Sequence, residues 1–236
     1  MKYLLTKSRN NMGTSVIFKN TLIRKIFMSL TGLFIAFFLI IHLLGNFQLL
    51  LPYDQAHLQY NWYSHLLSHN IIIEIIAYVL YATLIIHILD ALLITLENWK
   101  SNGKGLKVDK RGVNSSWFSR NMGILGVIIL LFLILHFSDY WYAYKFGDIP
   151  VDEKGNKDIF LIVHESFKQG WYVAIYIIAF IALGFHLAHG VWSAFRTLGV
   201  YNKWYIKLTK YIGITFAILM SLGFAIIPAI IYLKNL

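Results

Sequence analysis

The chain of 236 residues contains no cysteine, so it can form no disulfide and hold no thiolate-ligated iron–sulfur cluster of its own. Charge is also scarce, with 14% charged residues against 58% hydrophobic ones and a mean hydropathy of +0.61. That composition excludes an ordinary soluble domain and predicts a polytopic membrane protein. Residues 1–25 are polar and basic, without the apolar core and small-residue cleavage site of a signal peptide, so the first span is expected to be retained. No internal repeat, no pair of broken helices and no linker marking a second domain is visible, and the whole of 1–236 reads as one membrane domain.

What the chain does have is long apolar runs. Five exceed the roughly 20 residues needed to cross a bilayer core: about 26–51, 71–96, 121–144, 170–195 and 211–233. The fold class expected is all-α, with five transmembrane helices and the first four forming a cofactor-binding bundle. Basic residues alternate between the connecting segments: six before the first span, none in loop 1, six in loop 2, four each in loops 3 and 4, and one at the end. By the positive-inside rule the N-terminus is expected inside and the C-terminus outside. The net charge of +10 then reflects topology and binding to the membrane, not to nucleic acid. Loop 1, from Pro52 to Asn70, is short and rich in aromatics and histidine. Loop 2 is basic, with Gly103, Gly105 and Gly112 as breakers, and the apolar tail of loop 3, Ile159 to Phe167, reads as a short interfacial helix.

Four histidines lie inside four of the spans: His42, His87, His136 and His186. Ionisable groups at that depth are costly and by default mark a functional site, and imidazole is the commonest protein ligand for metals and haem iron. With a rise of about 1.5 Å per residue, His42 and His136 lie about 24 and 22 Å from the inner surface, and His87 and His186 both about 14 Å. The depths match in two pairs, His42 with His136 and His87 with His186. Facing helices that offer imidazoles at one level are what a flat macrocycle requires, so two bis-histidine haems are expected. The bland alternative, histidines acting as hydrogen-bonding glue between helices, explains one such residue better than four in register. His189, three residues beyond His186, competes for the fourth position on spacing alone. Gly45, Gly123, Gly126, Gly184 and Gly190 near these positions would give a planar group room or permit close helix packing.

At these residues the chain resembles the di-haem cytochrome b membrane subunit of succinate dehydrogenase/fumarate reductase (succinate:quinone oxidoreductase, cytochrome b558 type). The pieces that carry the likeness are Ser29-Leu30-Thr31-Gly32-Leu33-Phe34 running to His42, Leu84-Ile85-Ile86-His87, His136 beside Asp139, and Phe185-His186-Leu187-Ala188-His189-Gly190-Val191-Trp192-Ser193. They occur in order across all five spans. The resemblance implies that His42 and His136 ligate the outer haem b, and His87 and His186 the inner one. In that family the fourth ligand precedes a glycine by four residues, which favours His186, with Gly190, over His189. It further implies a flavoprotein and an iron–sulfur subunit on the cytoplasmic side, a quinone, in particular menaquinone, as membrane substrate, and the bacterial inner membrane as location. A five-span family member uses a glutamate near the outer start of span 2 in quinol chemistry; Glu74 lies in that neighbourhood without matching the position.

Quinone reduction takes up protons, so its site needs a proton-exchanging group near the outer pair. Glu74, Asp139 and His65 are the candidates, with His57, His69 and His164 also on that side. Arg24, Lys25, Arg120 and Arg196 are inner-side cations available to haem propionates or simply to the membrane boundary. Asp90, one turn beyond His87, is expected to pair with a base from loop 2 or loop 4. The rival functions are the cytochrome b anchor of another quinone-linked dehydrogenase or a hydrogenase, a proton-coupled transporter using the same histidines and acids, and a haem-free anchor.

Overall fold

A computed structural model describes residues 21–101, 117–199 and 202–236. The middle of loop 2, residues 102–116 with its three glycines, and most of the basic N-terminal segment lie outside the described residues. Among the described residues the regular structure is helical, with one isolated bridge between Val151 and Lys157 in the connecting segments. Five helices are long and apolar enough to cross a membrane. In order, the helices are α1 (Thr21–Asn46), α2 (Tyr53–Ser68), α3 (Ile71–Ser101), α4 (Trp117–Phe146), α5 (Ile159–Phe167), α6 (Gly170–Leu198) and α7 (Lys203–Leu233). The protein is an all-α, multi-pass membrane protein.

Each span begins or ends where local chemistry requires. α1 tightens into a 3-10 turn at Phe47–Leu50, and Leu51 then turns extended (φ −61°, ψ 167°) because Pro52 disfavours the helical conformation in the residue before it. Asn70 opens α3 by accepting hydrogen bonds from the amides of Ile72 (3.0 Å) and Ile73 (3.3 Å). Asn202 opens α7 in the same way through Trp204 N–H at 2.8 Å. The start of α7 is thereby fixed at Lys203, eight residues ahead of the apolar run.

Two features depart from the expected layout. Loop 1 is a 16-residue helix, α2, with Ala56 and Asn61 wholly buried. α2 packs against α5, the short helix expected in loop 3, and the two cover one end of the bundle. Asn61 fastens them: its Nδ2 donates to Asp158 Oδ1 at 2.9 Å, and its Oδ1 accepts from Phe160 N–H at 2.9 Å. His57 Nε2 meets the other Asp158 oxygen at 2.7 Å.

The second departure is α7. The fifth span is not peripheral to a four-helix bundle but lies along α6 and reaches α1. Small residues permit that approach, as is usual between helices in lipid. A Cβ added at Gly223 would stand 2.7 Å from Leu43 Cδ2, and one at Gly184 3.0 Å from Ser221. Ser221 Oγ donates across to the Phe180 carbonyl at 2.6 Å. By contrast α3 packs on α1 but approaches α4 at few positions, and most of its apolar side chains are exposed. In a membrane that face meets lipid.

Candidate functional site: two pairs of imidazoles

The four span histidines meet in two pairs. The ring centres of His42 (α1) and His136 (α4) are 5.8 Å apart, with the planes at 85°. Those of His87 (α3) and His186 (α6) are 6.4 Å apart, at 67°. The pairs are those that depth alone selects. His189 does not face His87; its nearest aromatic contact is Trp192, at 6.5 Å.

Ring spacing tests whether these residues fit a shared metal centre. An imidazole nitrogen lies about 2 Å from a metal and its ring centre about 1 Å behind, so imidazoles on opposite sides of one ion have centres about 6 Å apart. Both pairs have that spacing. None of the four Nε2 atoms makes a hydrogen bond among the described residues, and the buried Nδ1 of His186 has no partner. The Nε2 atoms are thus uncommitted among the described residues, as a ligand at that position would require. The described residues contain no group of three or more His, Asp or Glu that could hold a bare metal ion. A haem macrocycle would fill the coordination positions that two imidazoles leave open.

The surroundings hold the rings in place. Thr31 Oγ1 spends its one proton on the Phe27 carbonyl (2.7 Å), so at 3.1 Å it accepts from His87 Nδ1–H. That bond leaves His87 Nε2 with its lone pair free, the arrangement by which outer partners orient metal-binding histidines. Gly32 provides the space: a Cβ there would lie 3.3 Å from His87 Cε1. A Cβ at Gly126 or Gly190 would meet nothing within 4 Å. His42 stacks on Phe38 (5.2 Å) and tilts against Phe224 of α7 (5.7 Å), so the fifth span borders the outer pair. His136 stacks on Phe132 at 5.5 Å.

Beyond His136, α4 widens into a π-helical turn at Phe137–Tyr142 before its last α turn, Ala143–Phe146. Such turns occur disproportionately at functional sites. This one contains Asp139, whose Oδ2 accepts from Tyr172 Oη at 2.8 Å. Tyr172 Oη lies 3.2 Å from Tyr176 Oη, which lies 3.3 Å from His136 Nδ1. Asp139 is thus tied to the His42–His136 pair through two tyrosines. Glu74 sits in the first turn of α3, and His65 stacks on His69 at 3.9 Å; among the described residues no hydrogen bond joins either to the pair. His57 is committed to Asp158, and His164 stacks on Phe160 at 5.4 Å.

At the other end, Asp90 pairs with Arg24 of α1 at 3.1 Å, a partner on a neighbouring span in place of the expected base from loop 2 or loop 4; the basic residues of 102–116 lie outside the described residues. The same guanidinium holds Glu97 through Nη1 at 2.8 Å. A residue 66 positions away in sequence reaches Asp90 because α1 and α3 are neighbours, which charge counting by loops could not reveal. Arg24 is therefore engaged, while Arg196 lies over the Trp192 ring at 5.1 Å, with Lys210 also over that ring at 5.9 Å.

Comparison with protein-family models, curated proteins and solved structures finds no match for this chain.

Proposed function

We propose that this chain is a di-haem membrane cytochrome b that serves as the anchor of a succinate:quinone oxidoreductase, passing electrons between an iron–sulfur partner and a membrane quinone. One observation carries the haem reading: two imidazole pairs, each spaced at about 6 Å as for opposite ligands of one metal, with no hydrogen bond to any Nε2 among the described residues. His42 and His136 would hold one haem b, and His87 and His186 the other. Bound haem would supply one-electron chemistry; the protein supplies ligands, burial and hydrogen bonds that set its potential. The narrower assignment to succinate dehydrogenase/fumarate reductase, with menaquinone as substrate and a flavoprotein and an iron–sulfur subunit on a bacterial cytoplasmic face, rests on the resemblance of the ordered histidine motifs. The basic residues before span 1 and in loops 2 and 4 favour that face as the inner one.

The test is a dithionite-reduced minus oxidised spectrum of the purified chain with a pyridine haemochrome count. Two haems b per chain are expected; none would end the reading and leave the transporter or bare anchor. Purification from native membranes then separates the finer alternatives. Co-purification of a flavoprotein and haem reduction by succinate support the named complex, whereas reduction by hydrogen or formate assigns the anchor to a hydrogenase or formate dehydrogenase.

A further inference from the structure

We propose that Asp139, Tyr172 and Tyr176 form a directional hydrogen-bonded chain that fixes the tautomer and orientation of His136 and tunes the group it binds. Asp139 is thereby a positioning residue of the outer histidine pair and not a proton donor to quinone. The inference rests on the reading of His42 and His136 as axial ligands.

The direction follows from counting protons. A carboxylate only accepts, so Tyr172 commits its single hydroxyl proton to Asp139 Oδ2 at 2.8 Å. At the 3.2 Å contact the donor must then be Tyr176, whose proton goes to Tyr172 Oη. Left without a proton for His136, Tyr176 Oη can only accept from His136 Nδ1–H, at 3.3 Å. Every link is set by the acid at the far end. The outcome is a neutral imidazole protonated on Nδ1, with the Nε2 lone pair open, the form a metal ligand requires.

Two helices, α6 and α4, cooperate in this. Tyr172 and Tyr176 are one turn apart on α6 and share a face; both are buried, at 5% and 3% exposure. The π turn of α4 carries Asp139, which reaches Tyr172, and Tyr140, whose ring is 5.4 Å from that of His136. Such a chain costs buried polar surface and two ordered hydroxyls, an expense that plain helix packing would not require. A carboxylate acceptor at the end of the chain also makes the imidazole a stronger electron donor to a bound metal, which favours the oxidised form of a bound iron.

The inner pair uses a different device. His87 is oriented by Thr31, whose proton goes to the Phe27 carbonyl, so this hydrogen-bonded chain ends on the backbone and not on Asp139. Disrupting the tyrosine chain should therefore alter one haem and spare the other.

The experiment is a potentiometric titration, followed by optical and low-temperature EPR spectra, of the full chain and of Asp139→Asn, Tyr172→Phe, Tyr176→Phe and Asp139→Glu. The component belonging to the outer pair is identified as the one missing in His136→Ala. In the Asn and Phe variants that component should become easier to reduce by about tenfold or more in its equilibrium constant, about 59 mV for one electron, with an altered EPR signal. Asp139→Glu, which retains an acceptor-only carboxylate, should restore the original values, and the other component should stay unchanged throughout. Two haems present but no change in the outer component, or equal shifts in both, would overturn the inference while leaving the haem reading intact. Absence of haem from the unaltered chain would instead remove the reading on which it rests.

Discussion

At the scale of single residues, the account turns on what stands next to each imidazole. Gly32 lies against the His87 ring with 3.3 Å available to a Cβ, so Gly32→Val should push that ring aside. The expected variant folds and keeps one haem of two, which a pyridine haemochrome count reads directly; Gly126→Ala, built into open space, should keep both. Arg24 presents a second case. Its Nη2 and the Oδ2 of Asp90 are both buried without partners, although the two side chains bond through Nε and Oδ1 at 3.1 Å. Arg24→Ala would leave Asp90 ionised with no counter-charge and should cost about 2 kcal/mol, measurable as a lower Tm in detergent. Asp90→Asn in the same chain should recover most of it. The histidines were legible in the sequence because an ionisable group inside an apolar run is conspicuous. Tyr172, Tyr176 and Thr31 were not, since hydroxyl residues in a span are common and only their mutual geometry distinguishes them. The partner of Asp90 was missed for the same reason: contact between α1 and α3 is a fact of packing.

Among the elements, the long spans followed from hydrophobic length, and α5 from a short apolar run after turn-forming residues. α2 was less visible. Its sequence, Tyr53 to Ser68, mixes aromatics, histidines and leucines without an apolar stripe, and its stability comes from burial of Ala56 and Asn61 against neighbours. Asn61→Ala should therefore do more than remove one side chain. It leaves the Phe160 amide and Asp158 Oδ1 short of a partner, costing about 1–3 kcal/mol, and the expected sign is faster proteolytic cleavage between α4 and α5 with the spans intact. The turn before α5 depends on pH through Asp152. Burial pushes its carboxyl up, but amides of Asn156 and Lys154, each at 2.9 Å, outweigh that and hold it below the usual carboxylate range. A carboxyl depressed in the folded state stabilises it above the ordinary carboxylate pKa and ceases to do so as pH falls toward the folded value. Proteolysis of the segment 147–158 should thus accelerate on acidification through and below about pH 4, and Asp152→Asn should flatten that dependence. The π turn in α4 had only an indirect sign in the sequence, the change to polar residues after His136. A polar stretch at a span end ordinarily means the helix has left the membrane; here the helix continues and re-aims Asp139 instead.

For the molecule as a whole, five apolar helices were readable from composition, but their lateral arrangement was not. Hydropathy assigns each residue a depth and says nothing about which spans are neighbours. Depth nevertheless selected the histidines whose rings lie side by side in the structure, because antiparallel helices place residues from opposite ends at one level. It could not show that α7 packs along α6 and borders His42 through Phe224. The central claim is that each imidazole pair grips one iron. The most direct measurement is a haem count, with the identity of the remaining component, in the four single variants His42→Ala, His87→Ala, His136→Ala and His186→Ala. Loss of one and the same haem from the 42 and 136 variants, and of the other from the 87 and 186 variants, is the expected result. Full haem content in any of the four, or losses grouped in another way, would contradict it.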